Sequence, residues 1–229
     1  LTAASDPSSA DTTAGFSYRF SCDDGATWTA WGIATSHLCA TSDNGTTLVK
    51  GEIRDKDSGT RSYSASVAVV NVAPTATFTA PASVDEGSAI TIALGAVSDP
   101  SSADTAAGFD YRFSCDDGAT WTAWGTAPSH TCATADNGTK LVKGELRDKD
   151  NGTRSYAASV TVTNVAPSAT FNAPTAVDEG SPVNVSLAGV VDPGSADTHQ
   201  YRFSCDNGTT WTAYGASTNH ACPTSDNGT

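Results

Sequence analysis

The chain has 229 residues, with 12 basic against 25 acidic side chains, a net charge of −13 and a pI near 4.4. A chain without a basic surface cannot release phosphate counterions, which argues against nucleic acid as a partner. No stretch approaches the about 18 consecutive apolar residues of a membrane helix. Met is absent and Leu1 opens no signal-peptide pattern, so the sequence reads as a piece of something longer. The weakly charged, Ser- and Thr-rich composition is that of secreted repeat proteins.

Self-similarity dominates the chain. Asp6-Pro7 recurs at Asp99-Pro100 and again at Asp192-Pro193, each time 93 residues on, and residues 6–74 differ from 99–167 at only twelve positions. The third copy shortens Thr105-Ala106-Ala107-Gly108-Phe109-Asp110 to Thr198-His199-Gln200, after which its offset is 90. Asn71-Val72-Ala73-Pro74 and Asn164-Val165-Ala166-Pro167 mark the joints, where proline fixes φ and suits a short semi-rigid connection. Three tandem domains are therefore expected. Residues 74–166 form a complete repeat, 1–73 a repeat without its opening strands, and 167–229 a repeat without its closing strands. The sequence reads as a window on a longer array.

In chain order, Phe16, Tyr18, Phe20 and Cys22 alternate with Ser17, Arg19 and Ser21, predicting a strand with the first set inward and the second in water. Asp23-Asp24-Gly25, Asp43-Asn44-Gly45 and Asp57-Ser58-Gly59 are turn signals, since Asn and Gly tolerate the positive φ of tight hairpins. Tyr63, Ala65, Val67 and Val69 then alternate with Ser64, Ser66, Ala68 and Val70. In the second copy the inward set recurs as Tyr156, Ala158, Val160 and Val162, whereas Ser64, Ala68 and Val70 become Ala157, Thr161 and Thr163. Substitution thus falls on the face without a packing constraint. Ile90, Ile92 and Leu94 alternate with Ala89, Thr91 and Ala93. Short strands with turns every 8–12 residues or so, and almost no helix, predict an all-β fold of tandem β-sandwiches in an extended array.

Tyr18-Arg19-Phe20-Ser21-Cys22-Asp23-Asp24-Gly25, Ser36-His37-Leu38-Cys39, Ile53-Arg54-Asp55 and Asn71-Val72-Ala73-Pro74 resemble, in this order, the PKD domain, an immunoglobulin-like bacterial repeat. Val84-Asp85-Glu86-Gly87-Ser88 and Asp-Pro-Ser-Ser-Ala-Asp-Thr look like bacterial extracellular immunoglobulin-like arrays. The resemblance covers essentially the whole chain. It departs at Cys22 and Cys39, which stand where that family has aromatic residues.

Six Cys occur as one pair per copy: Cys22 with Cys39, Cys115 with Cys132, and Cys205 with Cys222, each pair enclosing sixteen residues. A regular even count in a secreted-looking chain reads as one disulfide per domain. The aromatic residues they replace pack together in the resembled fold, which makes a bridge sterically reasonable. Zinc is a ligand short, since each copy adds one nearby His (His37, His130, His220) to two Cys. Free thiols are the remaining alternative.

No nucleophile–base pair stands out, and the chain is read as not an enzyme. Ser36-His37 and its copies would put their side chains on opposite faces of a strand. Asp23-Asp24 and Asp116-Asp117 read as turn formers. No cofactor is implied, although the acidic turns offer the hard oxygens that calcium prefers, with Asp55-Lys56-Asp57-Ser58-Gly59 the nearest to a calcium loop. Trp28 and Trp31, with copies Trp121/Trp124 and Trp211/Tyr214, raise carbohydrate binding. Three apart in an extended strand, one is expected in the core and the other in solvent. Asn44, Asn137, Asn151, Asn184, Asn207 and Asn227, six of the ten Asn, each precede x-Ser/Thr and are glycosylation candidates.

The expectation is a structural repeat protein, a disulfide-stapled stalk or fibre at or beyond a bacterial cell surface. Its partners would be further copies of the repeat in the same chain, with glycans or like chains in a fibre. The alternatives are an accessory carbohydrate-binding or spacer region of a secreted hydrolase, and an adhesin.

Overall fold

The computed structural model describes residues 1–224. Thirteen strands and two short helices follow one another among them. The first copy contributes α1 (Ser9–Ala14), β1 (Ser17–Ser21), β2 (Gly45–Arg54) and β3 (Thr60–Val69). The second contributes β4 (Thr75–Thr79), β5 (Ser83–Asp85), β6 (Ile90–Ser98), α2 (Ser102–Ala107), β7 (Asp110–Ser114), β8 (Ser129–Cys132), β9 (Gly138–Arg147) and β10 (Thr153–Thr163). The third contributes β11 (Ser168–Asn172), β12 (Val183–Val191) and β13 (Asn219–Cys222).

The second copy builds two sheets, one in the order β4-β6-β8 and the other β5-β10-β9-β7. Every pairing is antiparallel except β5 with β10, where Val84 lies beside Val162. The chain therefore leaves β4 in one sheet and enters the other at β5, a strand switch across Pro81. Between the sheets lie Ile90, Ile92, Leu94 and Cys132 from one side and Phe113, Val142, Leu146, Val160 and Val162 from the other. Each comes from an alternate strand position, and burying one such aliphatic or aromatic side chain stabilises by about 1.5–3 kcal/mol. Gly144 lets the layers approach: a Cβ there would lie 2.9 Å from Phe78 and 3.2 Å from both Leu94 and Phe113. The architecture is an immunoglobulin-type β-sandwich, as the alternation predicts.

The flanking copies each present one sheet. In the first, β1-β2-β3 has no facing layer, so Val67 is 45% exposed while its counterpart Val160 is fully buried. In the third, β11-β12-β13 packs mainly through Val185, Phe203 and Cys222. Its counterpart of β7 is reduced to a single bridge from Tyr201 to Gly215.

Helix is confined to two six-residue turns in the Asp-Pro-Ser-Ser-Ala-Asp-Thr stretch. Ser8 and Ser101 cap them by accepting from the amides of Asp11 and Asp104. In the third copy this stretch forms only a turn, because the three-residue deletion removes the last helical turn.

Candidate functional site

Each copy carries the same staple. Cys22–Cys39, Cys115–Cys132 and Cys205–Cys222 are disulfides, and no described cysteine is free. In the second copy the bridge runs from the end of β7 to the end of β8, which lie in different sheets. It thus ties the two layers together. The neighbouring imidazoles of His37, His130 and His220 stack on Phe20, Phe113 and Phe203, with centroids about 6 Å apart. That is a packing role for each ring.

The turn after each first cysteine is held by its aspartate. Asp116 accepts from the hydroxyl and the amide of Thr120 and from the Ser114 hydroxyl, and these donors hold its carboxyl down to about 2. Asp23 and Asp206 repeat the arrangement with Thr27 and Thr210. Here the alternation reading needs a correction. Ser21 and Ser114, expected in water, are 2% and 1% exposed. Their hydroxyls are turned in to accept the amides of Gly25 and Gly118, so the turn claims them.

The tryptophans also differ from expectation. Trp28 and Trp31 do not sit on opposite faces of a strand, since residues 22–31 follow the turn without strand pairing. Both close on the Arg19 guanidinium, at 4.6 and 4.7 Å from their ring centroids. Trp31 meets a second guanidinium, Arg54, at 4.3 Å. Arg112, Arg147, Trp121 and Trp124 repeat this ladder in the second copy. Arg202 stacks with Trp211 and Tyr214 in the third. Glu52 and Glu145 fix the central arginines from below at 2.6 Å. Trp31 and Trp124 are thus occupied by two cations each. The Tyr-Arg-Phe triplet, recurring at constant spacing ahead of the tryptophans, is the sequence signal for this ladder.

The joints carry contacts that the sequence reading did not single out. Between the first and second copies, the Asn71 side chain donates to Asp148 Oδ2 at 3.0 Å. Ser101 Oγ and the Ala103 amide both donate to the Ser42 carbonyl, at 2.9 and 3.2 Å. Lys149 Nζ donates to Asp43 at 2.8 Å and lies 3.3 Å from Asp104, which is fully buried. Hydrogen bonds from Lys149 to Asp150 and Asp43 raise its pKa, and Lys149 in turn lowers that of Asp43. Between the second and third copies, the Ala196 amide donates to the Ala135 carbonyl at 3.1 Å, and Val165 donates to Glu86 Oε1 at 2.6 Å. Asp197 is raised by burial first and by the charges of Glu86, Asp192 and Asp136 after it.

The turn at Asp55, expected as the nearest to a calcium loop, closes on itself. Asp55 Oδ1 accepts the amides of Asp57 and Gly59, and Lys56 Nζ lies 3.0 Å from Asp11. Of the glycosylation candidates, Asn137, Asn151, Asn184 and Asn207 are exposed, and Asn44 is half-buried in the turn that meets the second copy. Asn151 and Asn207 sit at tight turns with φ of 67° and 55°. Asn227 lies outside the described residues. No described helix is long and apolar enough to cross a membrane.

No protein-family model matches the chain, and no curated protein matches it by sequence. Among solved structures it is similar to the fibronectin(III)-like modules of Clostridium thermocellum CbhA, at 15% identity over 64% of this chain and 77% of that one, with a TM-score of 0.33. It is similar to chicken CNTN1 domains FN1–FN3 at 8% identity over 92% and 78%, TM-score 0.33. A Corynebacterium diphtheriae protein described as membrane-anchored gives 15% identity over 63% and 40%, TM-score 0.29. The immunoglobulin-type assignment stands on the strand pairings of the second copy.

Proposed function

We propose that the chain is part of a structural extracellular repeat protein, a stalk or fibre of tandem PKD-like sandwiches at or beyond a bacterial cell surface. The observation that carries this reading is the first joint. A proline connection is supplemented there by Asn71 on Asp148, by two donors on Ser42 and by Lys149 on Asp43. Such contacts restrict how neighbouring repeats turn against each other, and stiffness is what a stalk requires. One disulfide per copy supports an oxidising compartment. Near-identical copies suit a spacer, where length matters more than any one site. In this reading the chain has no catalytic role, and glycans on its exposed Asn-x-Ser/Thr sites shield strand edges from neighbouring chains.

The accessory-module alternative needs free aromatic faces for sugar rings. Trp31 and Trp124 are each covered by two guanidinium groups, which works against it. Retention on insoluble polysaccharides, paired with the intact mass of the native protein, tests the proposal. A stalk gives no retention and a mass above that of the sequence. Retention that disappears in Trp124→Ala would replace it with the carbohydrate-binding reading.

A further inference from the structure

β7 is an edge strand. It pairs with β9 on one side only, so the backbone groups of Tyr111 and Phe113 point away from the sheet. All four are taken by the segment that follows. Tyr111 donates to the Gly125 carbonyl at 2.7 Å and accepts from the Gly125 amide at 3.0 Å. The Phe113 carbonyl accepts the Thr122 amide at 2.9 Å, and the Phe113 amide donates to Thr122 Oγ1 at 3.0 Å. Residues 119–125 thus lie along β7 as a strap.

The strap is held from two further directions. Trp121 and Trp124 enclose the Arg112 guanidinium of β7. The Cys115–Cys132 bridge closes the loop that contains the whole strap. Tyr18 with Gly32 and Phe20 with Thr29 make the same four bonds in the first copy, and Tyr201 with Gly215 and Phe203 with Thr212 make them in the third. In the third copy Tyr201 and Phe203 belong to no described strand, yet the bonds persist. The strap is therefore a unit in its own right and not a by-product of sheet pairing.

The other edges of the second copy are blunted differently. β5 has three residues, β8 has four and follows Pro128, and β4 runs between Pro74 and Pro81 with its Ala76 amide given to the Tyr156 hydroxyl. A free edge is a template for pairing with another chain, and native sheets hide it by shortness, by proline or under a loop. β7, with five residues and no proline, has the loop. We infer that the strap is an edge guard, which keeps β7 from pairing antiparallel with β7 of a second copy of this chain. Pairing about Tyr111 sets Asp110 of each chain opposite Arg112 of the other, which favours a like strand as the occupant. One such contact is weak, but tandem copies in neighbouring arrays multiply it. Edge pairing itself does not depend on the stalk reading; the need to prevent it between parallel stalks does.

Hydrogen exchange and sedimentation of the chain carrying Thr122→Pro test the guard, since proline removes both the amide that Phe113 accepts and the hydroxyl that it donates to. In the unaltered chain the Tyr111 and Phe113 amides are expected to be protected at every concentration, and the chain to sediment as a monomer. In the variant both amides are expected to exchange about tenfold faster when dilute. They then regain protection as the weight-average mass rises with concentration toward about 1 mM. Thr122→Ser, which keeps the amide and the hydroxyl, restores the unaltered behaviour. Where Thr122→Pro also loses protection in β9 and β10, the second copy has unfolded, and Thr122→Ala, which removes only the hydroxyl, is read in its place through the Phe113 amide. An opened chain that stays monomeric, association without renewed protection of these amides, or amides unprotected in the unaltered chain would overturn the inference. Native filaments beside an opened chain that stays monomeric would sink the guard and leave the stalk standing; pairing of the opened chain without native filaments would do the reverse.

Discussion

Asn71 donates its side-chain amide to Asp148 Oδ2 across 77 residues, binding the joint of the first copy to the β9–β10 turn of the second. Asp148 is 3% exposed and also accepts the amides of Asp150 and Gly152 on its other oxygen. Gly152 leaves room for this contact, because a Cβ there would fall 2.7 Å from Asn71 Nδ2. Asn71→Ala leaves a buried carboxylate oxygen unpaired, at a cost of about 1–3 kcal/mol. Paired spin labels on the first and second copies are expected to report a broader distance distribution in the variant. An unchanged distribution would mean that the bond does not restrain the joint.

Gly144→Ala is expected to destabilise the second copy by about 1–3 kcal/mol, the usual range for overpacking a closed core. The added methyl meets Phe78, Leu94 and Phe113 from both layers at once. The same change at Gly125 in the same copy meets nothing within 4 Å, and should cost less. Denaturant titration of the two variants makes the comparison, and equal losses would contradict the account of the sandwich.

Removing the bridge with Cys115→Ala and Cys132→Ala is expected to cost about 3 kcal/mol on the chain-entropy estimate for a loop of this size. Force spectroscopy reads the same bond mechanically. The bridge hides the 17-residue separation from a pulling force, so reduction should lengthen each unfolding event by about 60 Å at the extended-chain rise. Equal event lengths in both redox states would show the bridges to be absent from the protein.

Asp23, Asp116 and Asp206 each have a carboxyl lowered to about 2 by Thr and Ser donors. A depressed folded-state value contributes stability that is present above the ordinary aspartate pKa and lost as pH falls through the folded one. The thermal midpoint is therefore expected to hold above about pH 4 and to decline between about pH 4 and 2. Carboxyl-carbon shifts would assign the titration, and a midpoint near 4 for Asp116 would rule out the turn geometry.

Much of the fold was legible because a strand has a two-residue period and one face must be dry. Ile90, Ile92, Leu94, Val160 and Val162 are buried where alternation puts them. Internal repetition helped further by varying the outer positions of β10 while keeping the inner ones. Ser21 and Ser114 escaped this reading because a turn that needs an inward acceptor overrides the pattern. Trp28 and Trp31 escaped it because the residues around them belong to no paired strand, so spacing carried no information about facing. The joint residues were illegible for a different reason. Asp43 meets Lys149 across 106 residues, and Glu86 meets Asp197 only once one copy is docked on the next. Local patterning is blind to such pairs, although Glu86 and Glu179 recur in the same Val-Asp-Glu-Gly turn.

Electron microscopy of the native material tests the central claim most directly. Stiff joints between near-identical sandwiches predict long, thin filaments of constant width, beaded at a regular axial repeat. Short, compact particles carrying a separate catalytic domain would contradict it.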